Sequence, residues 1–442
     1  MTPAPTRILV VGSGAREHAL AWKLAAEPGV NEVVVAPGSA AIGELPRVRC
    51  LPTVDPLAGD AVVEAARAMA AELVVIGPEA PLAAGVVDAL ASAGIAAFGP
   101  TTAAARLETS KTYCHEVAAA AGVAMAPARA FGGGDEHAAA AFIRELEADG
   151  AGVVLKADGL AGGKGVIVTE STAQALELAP SFLAGRAAGV PALVIEERLV
   201  GREASVIAIC DGIRAVALPA ARDHKRLCDD DRGPNTGGMG AYSPLPDLDD
   251  AAVEQVLETV HRPILAEMAR RGTPFRGFLY AGLMLTAAGP YLLECNVRLG
   301  DPEAQAILPR LATPLGALLL AAARGRIPES LPPLLPTQPG AAVAIVLAAQ
   351  GYPGQPKRGH PISGVDEARN LGALVFHAAT VGRPQGGFGT NGGRVLTVVG
   401  RGPTLEAARA GAEKAADAIA WEGMQRRHDI AADPRVPAGA AR

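Results

Sequence analysis

The first hundred residues constrain this chain more tightly than any other stretch. From Arg7 onward an apolar run, a glycine or proline break and an Ala-rich segment succeed one another. Strands are expected at 8–11, 33–36, 73–76 and 95–98, ending in Gly12, Pro37-Gly38, Gly77-Pro78 and Gly99-Pro100. Helices are expected at 15–26 and 57–70. Strand and helix alternating at this spacing imply a parallel sheet covered by helices on both faces. Ligands of such sheets bind beyond the carboxyl ends of the strands, and all four breaks fall on that edge.

At 442 residues the chain exceeds one ordinary core. Half of it is apolar but only 3 % is aromatic, so the cores must be built from Ala, Val, Leu and Ile. A second unit, 109–330, is expected to hold a flexible clamp at about 125–198. Residues 331–340 carry four prolines and read as a linker. A small unit follows at 341–430, with short strands, a turn signal at Thr390-Asn-Gly-Gly393 and one long helix near 404–420. The tail 431–442 is expected to be disordered. The fold class is therefore multidomain: an amino-terminal parallel α/β sheet, a central α+β region and a small carboxy-terminal α+β domain.

Net charge is −6 and no basic stretch occurs, which argues against a nucleic-acid partner. The five cysteines form no Cys-x-x-Cys pair, so neither a zinc site nor a disulfide framework is indicated. The start lacks the apolar run of a signal peptide, and no stretch of about eighteen apolar residues suggests a membrane span. A cytosolic location is expected.

Two motifs point to nucleotide chemistry. Lys156-Ala-Asp-Gly159-Leu-Ala-Gly162-Gly163-Lys164-Gly165 lies between the apolar runs 153–155 and 166–169, so it joins two strands. A Walker A loop would lead into a helix; this one leads into a strand. Its glycines let backbone N–H groups approach phosphate oxygens, and its two lysines supply charge. A plain surface hairpin seldom needs both. In Leu292-Leu-Glu294-Cys-Asn296-Val-Arg298, Glu294 and Asn296 share one strand face, as hard oxygen donors for Mg²⁺ bridging nucleotide phosphates. Arg298 falls on that face too.

Other segments are weaker alone. Gly12-Ser-Gly14-Ala-Arg16-Glu17-His18 invites a dinucleotide reading, but Glu17 stands where the third glycine belongs. A helix start with Arg16 and His18 suits a small phosphorylated substrate instead. Glu196 and Glu197, closing the apolar strand at 192–195, could accept bonds from adenine or ribose. The polar run 222–240 is too glycine-rich for a core and reads as a loop lining a site. No Gly-x-Ser-x-Gly elbow occurs.

Taken in order, these motifs resemble the ATP-grasp superfamily and, within it, the phosphoribosylamine–glycine ligases of purine biosynthesis. The resemblance runs from Ile8 to about Ile430. It is carried by 12–20, Gly77-Pro-Glu79-Ala-Pro81, 156–166, His224-Lys225-Arg226 with Gly233-Pro-Asn235-Thr236-Gly237-Gly-Met-Gly240, and Asn296-Val-Arg298-Leu-Gly-Asp301-Pro-Glu303. Gly351-Tyr-Pro-Gly354 and Thr390-Asn-Gly-Gly-Arg394 are similar as well.

That resemblance implies ATP-dependent joining of glycine to 5-phosphoribosylamine through a glycyl phosphate, with ATP and Mg²⁺ or Mn²⁺ as cofactors. It implies ATP contacts at Lys111, Lys156, Gly159, Gly162, Gly163, Lys164, Glu196 (at the adenine), Glu197, Leu199 and Glu203 (at the ribose). Glu294 and Asn296 become the metal ligands. Gly14, Arg16, His18, Gly38, Glu79, Asp223, Lys225, Asn235, Thr236, Gly237 and Arg298 would face the substrates. Lys156, Arg298 and Asp301 would carry catalysis, in a chain acting as a monomer.

Some positions depart from the family pattern. Ala15 and Pro37-Gly38-Ser-Ala-Ala41 differ on the phosphoribosylamine side, and Leu299 stands where phenylalanine is common. Gly282-Leu-Met-Leu-Thr286 carries no carboxylate, which leaves a second cation one ligand short. The rival readings are another ATP-grasp ligase or carboxylase component, a nicotinamide dehydrogenase, and an idle nucleotide-binding module.

Overall fold

Five parallel strands open the chain: β1 (Arg7–Gly12), β2 (Glu32–Pro37), β3 (Val48–Cys50), β4 (Leu73–Ile76) and β5 (Ala97–Phe98), in the order β3-β2-β1-β4-β5. The computed structural model describes residues 3–148, 150, 152–160, 165–184, 186 and 192–432. All four expected strands are present. β3 was not expected, because an edge strand with half of its surface in water shows no apolar run. The order reverses between β1 and β4, which places a crevice between Gly12 and Gly77 at their carboxyl ends. The helix Ala15–Ala25 leaves that crevice and is buried nearly all round, against the sheet on one side and later parts of the chain on the other.

Strands β6 (Ala128–Phe131), β7 (Gly152–Ala157), β8 (Val166–Val168) and β9 (Leu193–Arg198) form an antiparallel sheet in the order β6-β9-β7-β8. Two helices, Glu136–Ala148 and Thr172–Leu183, cover it. Phe131, Phe142, Ile143, Leu155, Leu193 and Ile195 make a separate core there. β7 and β8 are the two strands expected to flank the lysine- and glycine-rich loop.

A second antiparallel sheet orders Ala215–Ala217, Arg202–Asp211, Arg276–Thr286 and Gly289–Asn296. A third runs Arg222–Asp223, Gly240–Ser243, Ala341–Ala348, Arg394–Gly402, Leu374–His377. This sheet takes two strands from before residue 330, so the last domain is built onto the middle of the chain. The intervening 331–340 is pinned rather than free. Ala217 N–H donates to Pro333 O at 2.7 Å, and Gln338 N–H to Arg310 O at 2.6 Å.

Thr390-Asn-Gly-Gly393 closes no hairpin. Phe388–Thr390 pairs within a small three-stranded sheet while Arg394–Gly402 belongs to the large one, so the turn carries the chain between sheets. The long helix is Leu405–Ala418, capped by Thr404. Of the expected tail, Ala431 is buried and 433–442 lie outside the described residues.

The amino-terminal domain is bolted to the middle of the chain by side chains of its first helix and the turn after it. Arg16 Nη1 donates to Leu299 O (3.0 Å) and Lys23 Nζ to Leu311 O (2.7 Å). Glu27 accepts the N–H groups of Leu315 and Gly316 at the start of the helix Gly316–Ala323. Among the described residues no helix is long and apolar enough to cross a membrane.

Candidate active site

A cleft of about 370 Å³ opens between the amino-terminal sheet edge, the clamp sheet and the strand Gly289–Asn296. Beneath the clamp, Lys156 is almost fully buried, and its Nζ donates to Leu293 O and to Glu196 Oε2, each at 2.7 Å. Glu196 also meets His115 Nε2 at 2.8 Å. Burial opposes ionisation of Glu196, but Lys156 and His115 outweigh it and hold its pKa below the usual carboxylate range. Glu196, expected at the adenine, has its carboxylate oxygens on Lys156 and His115.

Asp158, two residues further along, explains why Ala-Asp-Gly follows the lysine. Its carboxylate accepts from Lys111 N–H at 2.5 Å and Thr112 Oγ1 at 2.7 Å, capping the helix Lys111–Ala120. The clamp loop and the Lys111 helix are thereby tied together. Lys111 Nζ lies 3.8 Å from Glu294 Oε2.

Glu294 and Asn296 project from one strand face, with Asn296 Nδ2 3.4 Å from Glu294 Oε1. Burial works against the Glu294 charge, yet Lys111, Lys225, Lys156 and Arg298 bring its pKa down to about 2. Across the sheet Gly282 pairs with Glu294, and a Cβ there would stand 3.3 Å from Glu294 Cγ. A carboxylate and an amide oxygen, both hard donors, fit a divalent cation that takes its remaining ligands from phosphate and water. No cluster of three or more His, Cys, Asp or Glu suited to metal occurs among the described residues.

Arg298 anchors the opposite wall. Its Nε faces Glu79 Oε2 at 3.3 Å, Nη2 faces Glu108 Oε1 at 3.1 Å, and Nη1 donates to Leu299 O at 3.2 Å. Burial pulls the Arg298 pKa down, but the two glutamates raise it further, so the guanidinium stays charged. Burial raises the Glu108 pKa, and Val297 N–H donates to its Oε2 at 2.7 Å. Asp301 is kept ionised against burial by Arg394, Arg16 and Arg298, with Gln305 Nε2 donating at 2.8 Å.

At the sheet edge Glu17 fills the crevice that a third glycine would leave open. A Cβ on Gly77 would lie 2.2 Å from its Oε1, and one on Gly12 2.5 Å from its Cγ. Its carboxylate accepts from Gly14 N–H (2.7 Å) and Arg16 Nε (2.6 Å). A pyrophosphate therefore has no room here, while Arg16 is presented to the cleft.

The 222–240 segment lines the remaining side. Lys225 Nζ pairs with Glu203 Oε2 at 2.5 Å and lies 3.9 Å from Asp223 Oδ1. Burial pushes Asp223 up to about 7; Lys225 pulls it down, and Glu303, Glu203 and Glu294 add to the rise.

Of the sequence-stated residues, the cleft gathers Arg16, Glu79, Lys111, Gly159, Asp223, Lys225, Thr236, Gly237, Glu294, Asn296, Arg298 and Asp301. Lys156 stands just behind its wall. Asn235 and Glu203 are not among the lining residues: Asn235 donates to Val166 O at 3.2 Å, tying its loop to the clamp, and Glu203 pairs with Lys225. Glu197 and Leu199 sit at the end of β9 and beyond it, outside the cleft lining. Gly14 is the helix cap, and Gly38 packs on Cys50 at the sheet edge.

The structure does not bring His18 to the cleft. It is buried against Phe376 and His377, its Nδ1 accepts His377 N–H at 3.1 Å, and burial lowers its pKa to about 3. A neutral imidazole in a domain joint offers no charge to phosphate. Gly162, Gly163 and Lys164 lie outside the described residues. Sequence reasoning missed Glu108, Tyr280, Glu303 and Arg394, all of which line the cleft.

A small antiparallel clamp set over a second antiparallel sheet, with paired lysines, a carboxylate–amide metal face and an α/β domain at the mouth, defines an ATP-grasp enzyme. Family models for the N domain, the ATP-grasp (A) domain and the C domain of phosphoribosylglycinamide synthetase match residues 6–108, 109–304 and 342–433. The chain is 44 % identical to a phosphoribosylamine–glycine ligase of Rhodopirellula baltica, over 98 % of this chain and 99 % of that one. The chain belongs to the phosphoribosylamine–glycine ligase family.

The crystal structure of a phosphoribosylamine–glycine ligase from Thermotoga maritima has 34 % identity and a TM-score of 0.78, covering 96 % of this chain and all of that one. A biotin carboxylase domain from Hydrogenobacter thermophilus 2-oxoglutarate carboxylase, solved with MgADP and bicarbonate, is a more distant neighbour. At 16 % identity and a TM-score of 0.69, covering 96 % of this chain and 92 % of that one, it shares the fold alone. Membership in the ATP-grasp class carries with it the use of ATP with a divalent cation.

Proposed function

We propose that the cleft joins glycine to 5-phosphoribosylamine, giving glycinamide ribonucleotide, ADP and phosphate for purine biosynthesis. The observation that carries this is the convergence of two half-sites on one cavity. Lys111, with Lys156 just behind the wall, and the Glu294–Asn296 face stand on one side; Arg16, Glu79 and Arg298 stand on the sheet-edge side. Phosphoryl transfer needs positioning and charge neutralisation more than a protein nucleophile, and this inventory supplies both.

In this reading Lys111 and Lys156 hold the ATP phosphates, and Glu294 with Asn296 would hold Mg²⁺ or Mn²⁺. When bound there, the cation would supply charge neutralisation to the phosphoryl group being transferred. A glycine carboxylate oxygen takes the γ-phosphoryl group, giving glycyl phosphate and ADP. The amine nitrogen of phosphoribosylamine then attacks the acyl carbon; the C–N bond forms, phosphate leaves, and the nitrogen loses a proton. Asp223, a carboxylate that lines the cleft beside Lys225 and whose pKa burial pushes upward, is suited to take that proton. Arg298 and Asp301 orient the glycine and its phosphate. Closure of the clamp sheet over the cleft would keep water from the acyl phosphate.

Steady-state ADP release by the purified chain tests this reading. Release should require glycine and freshly made phosphoribosylamine together. ADP release driven by bicarbonate, and not by that pair, would favour the carboxylase-like alternative.

A further inference from the structure

Among the described residues, the last domain lines the cleft with Arg394, at the start of the strand Arg394–Gly402. Its Nη1 donates to the backbone oxygens of Gly237 and Asp301, the latter at 2.6 Å. Its Nη2 lies 3.2 Å from the Asp301 carboxylate. Tyr352 of the same domain accepts the Gly237 N–H at 2.9 Å. One guanidinium and one phenol thus grip both polar backbone groups of Gly237 and both oxygen types of Asp301.

The packing around this grip leaves no slack. A Cβ on Gly238 would lie 2.5 Å from Pro302 Cδ, and one on Gly393 2.3 Å from Tyr352 Cδ2. On Gly237 it would lie 3.2 Å from Arg394 Cζ. Among the described residues neither Arg394 nor Tyr352 bonds to Lys111, Lys156, Glu294 or Asn296. Their grip therefore falls on one side of the cavity only. A planar fork can serve several acceptors at fixed angles, which a lysine ammonium does not reproduce.

We propose that Arg394, seconded by Tyr352, is a positioning residue for the glycine and phosphoribosylamine side of the cleft: it clasps the 233–240 loop to Asp301 and so makes that half-site depend on the last domain. The inference rests on the two-substrate reading above. Its mechanism is positional, because a misplacement of the acceptor by a fraction of its own length costs turnover without touching nucleotide binding.

The test uses the full chain and three variants, Arg394→Gln, Arg394→Lys and Tyr352→Phe. Wild-type ADP release dependent on glycine and phosphoribosylamine is established first; failure there strikes the functional reading and not the clasp. For Arg394→Gln the KM for glycine or phosphoribosylamine should rise about tenfold or more, with more ATP hydrolysed per product formed, while the KM for ATP stays within about threefold. Arg394→Lys should fall between wild type and Arg394→Gln, and Tyr352→Phe should shift the same parameters in the same direction by less. Unchanged substrate KM and coupling would overturn the proposal, as would a parallel rise in the KM for ATP. If Arg394→Gln does not fold, Tyr352→Phe decides alone: unaltered acceptor KM and coupling refute the clasp.

Discussion

Replacing Lys156 by Met keeps the length of the side chain and removes its charge, which leaves Glu196 ionised and buried with only His115 2.8 Å away. Breaking a buried ion pair by removing one partner costs about 3–5 kcal/mol. His115 Nε2 remains within hydrogen-bond distance of the orphaned carboxylate, so the lower end of that range applies. The loss is local to the clamp, because β7 carries Lys156 and β9 carries Glu196, and the two strands pair directly. Amide hydrogen exchange of Gly152–Ala157 and Leu193–Arg198 reads the local opening free energy, and about 3 kcal/mol makes exchange roughly a hundredfold faster.

Glu196→Gln should cost somewhat less, since Lys156 keeps Leu293 O. The double variant should then cost less than the two added together by about 1–3 kcal/mol. Additive costs would refute the claim that Glu196 serves Lys156. The pH dependence has a definite sign. The folded pKa of Glu196 lies below its ordinary value of 4.5, so its stabilisation is present above that value and is lost as pH falls through the depressed one. The advantage of wild type over Glu196→Gln should therefore close in acid.

Gly77→Ala would set a methyl group 2.2 Å from the pinned Glu17 carboxylate, and thermal unfolding should show a loss of about 1–3 kcal/mol; an unaltered midpoint would mean Glu17 does not fill the crevice. Glu294→Gln should lower turnover by at least about a hundredfold and raise the Mg²⁺ concentration needed for half-maximal rate, and a variant with unchanged metal dependence would remove Glu294 from the metal face.

The parallel sheet was legible because its central strands are covered on both faces and read as continuous apolar runs. The clamp was legible for a different reason: glycines and lysines between two β-branched runs have few other uses. What stayed hidden was pairing at long range. Lys156 and Glu196 are forty residues apart and meet only because β7 and β9 are neighbours, so the ion pair between them could not be read from either segment alone. His18 shows the same limit, since only the docking of Phe376 and His377 turns a helix-start histidine into a buried joint. Glu108 and Tyr280 sit inside a regular helix and strand, where nothing local separates a cleft residue from a packed one. Arg394 lies just beyond the Thr390–Gly393 turn, where the sequence marks only a change of direction. Its role needed the large sheet that joins the last domain to Gly240–Ser243.

Glycine is phosphorylated before the amine attacks in the proposed reaction. Glycine labelled with ¹⁸O in both carboxylate oxygens, turned over with ATP and phosphoribosylamine, tests that step through the phosphate released. A glycyl phosphate transfers one labelled oxygen to each phosphate formed, and mass spectrometry should find that stoichiometry. Phosphate carrying no label, released in step with glycinamide ribonucleotide, would contradict the account.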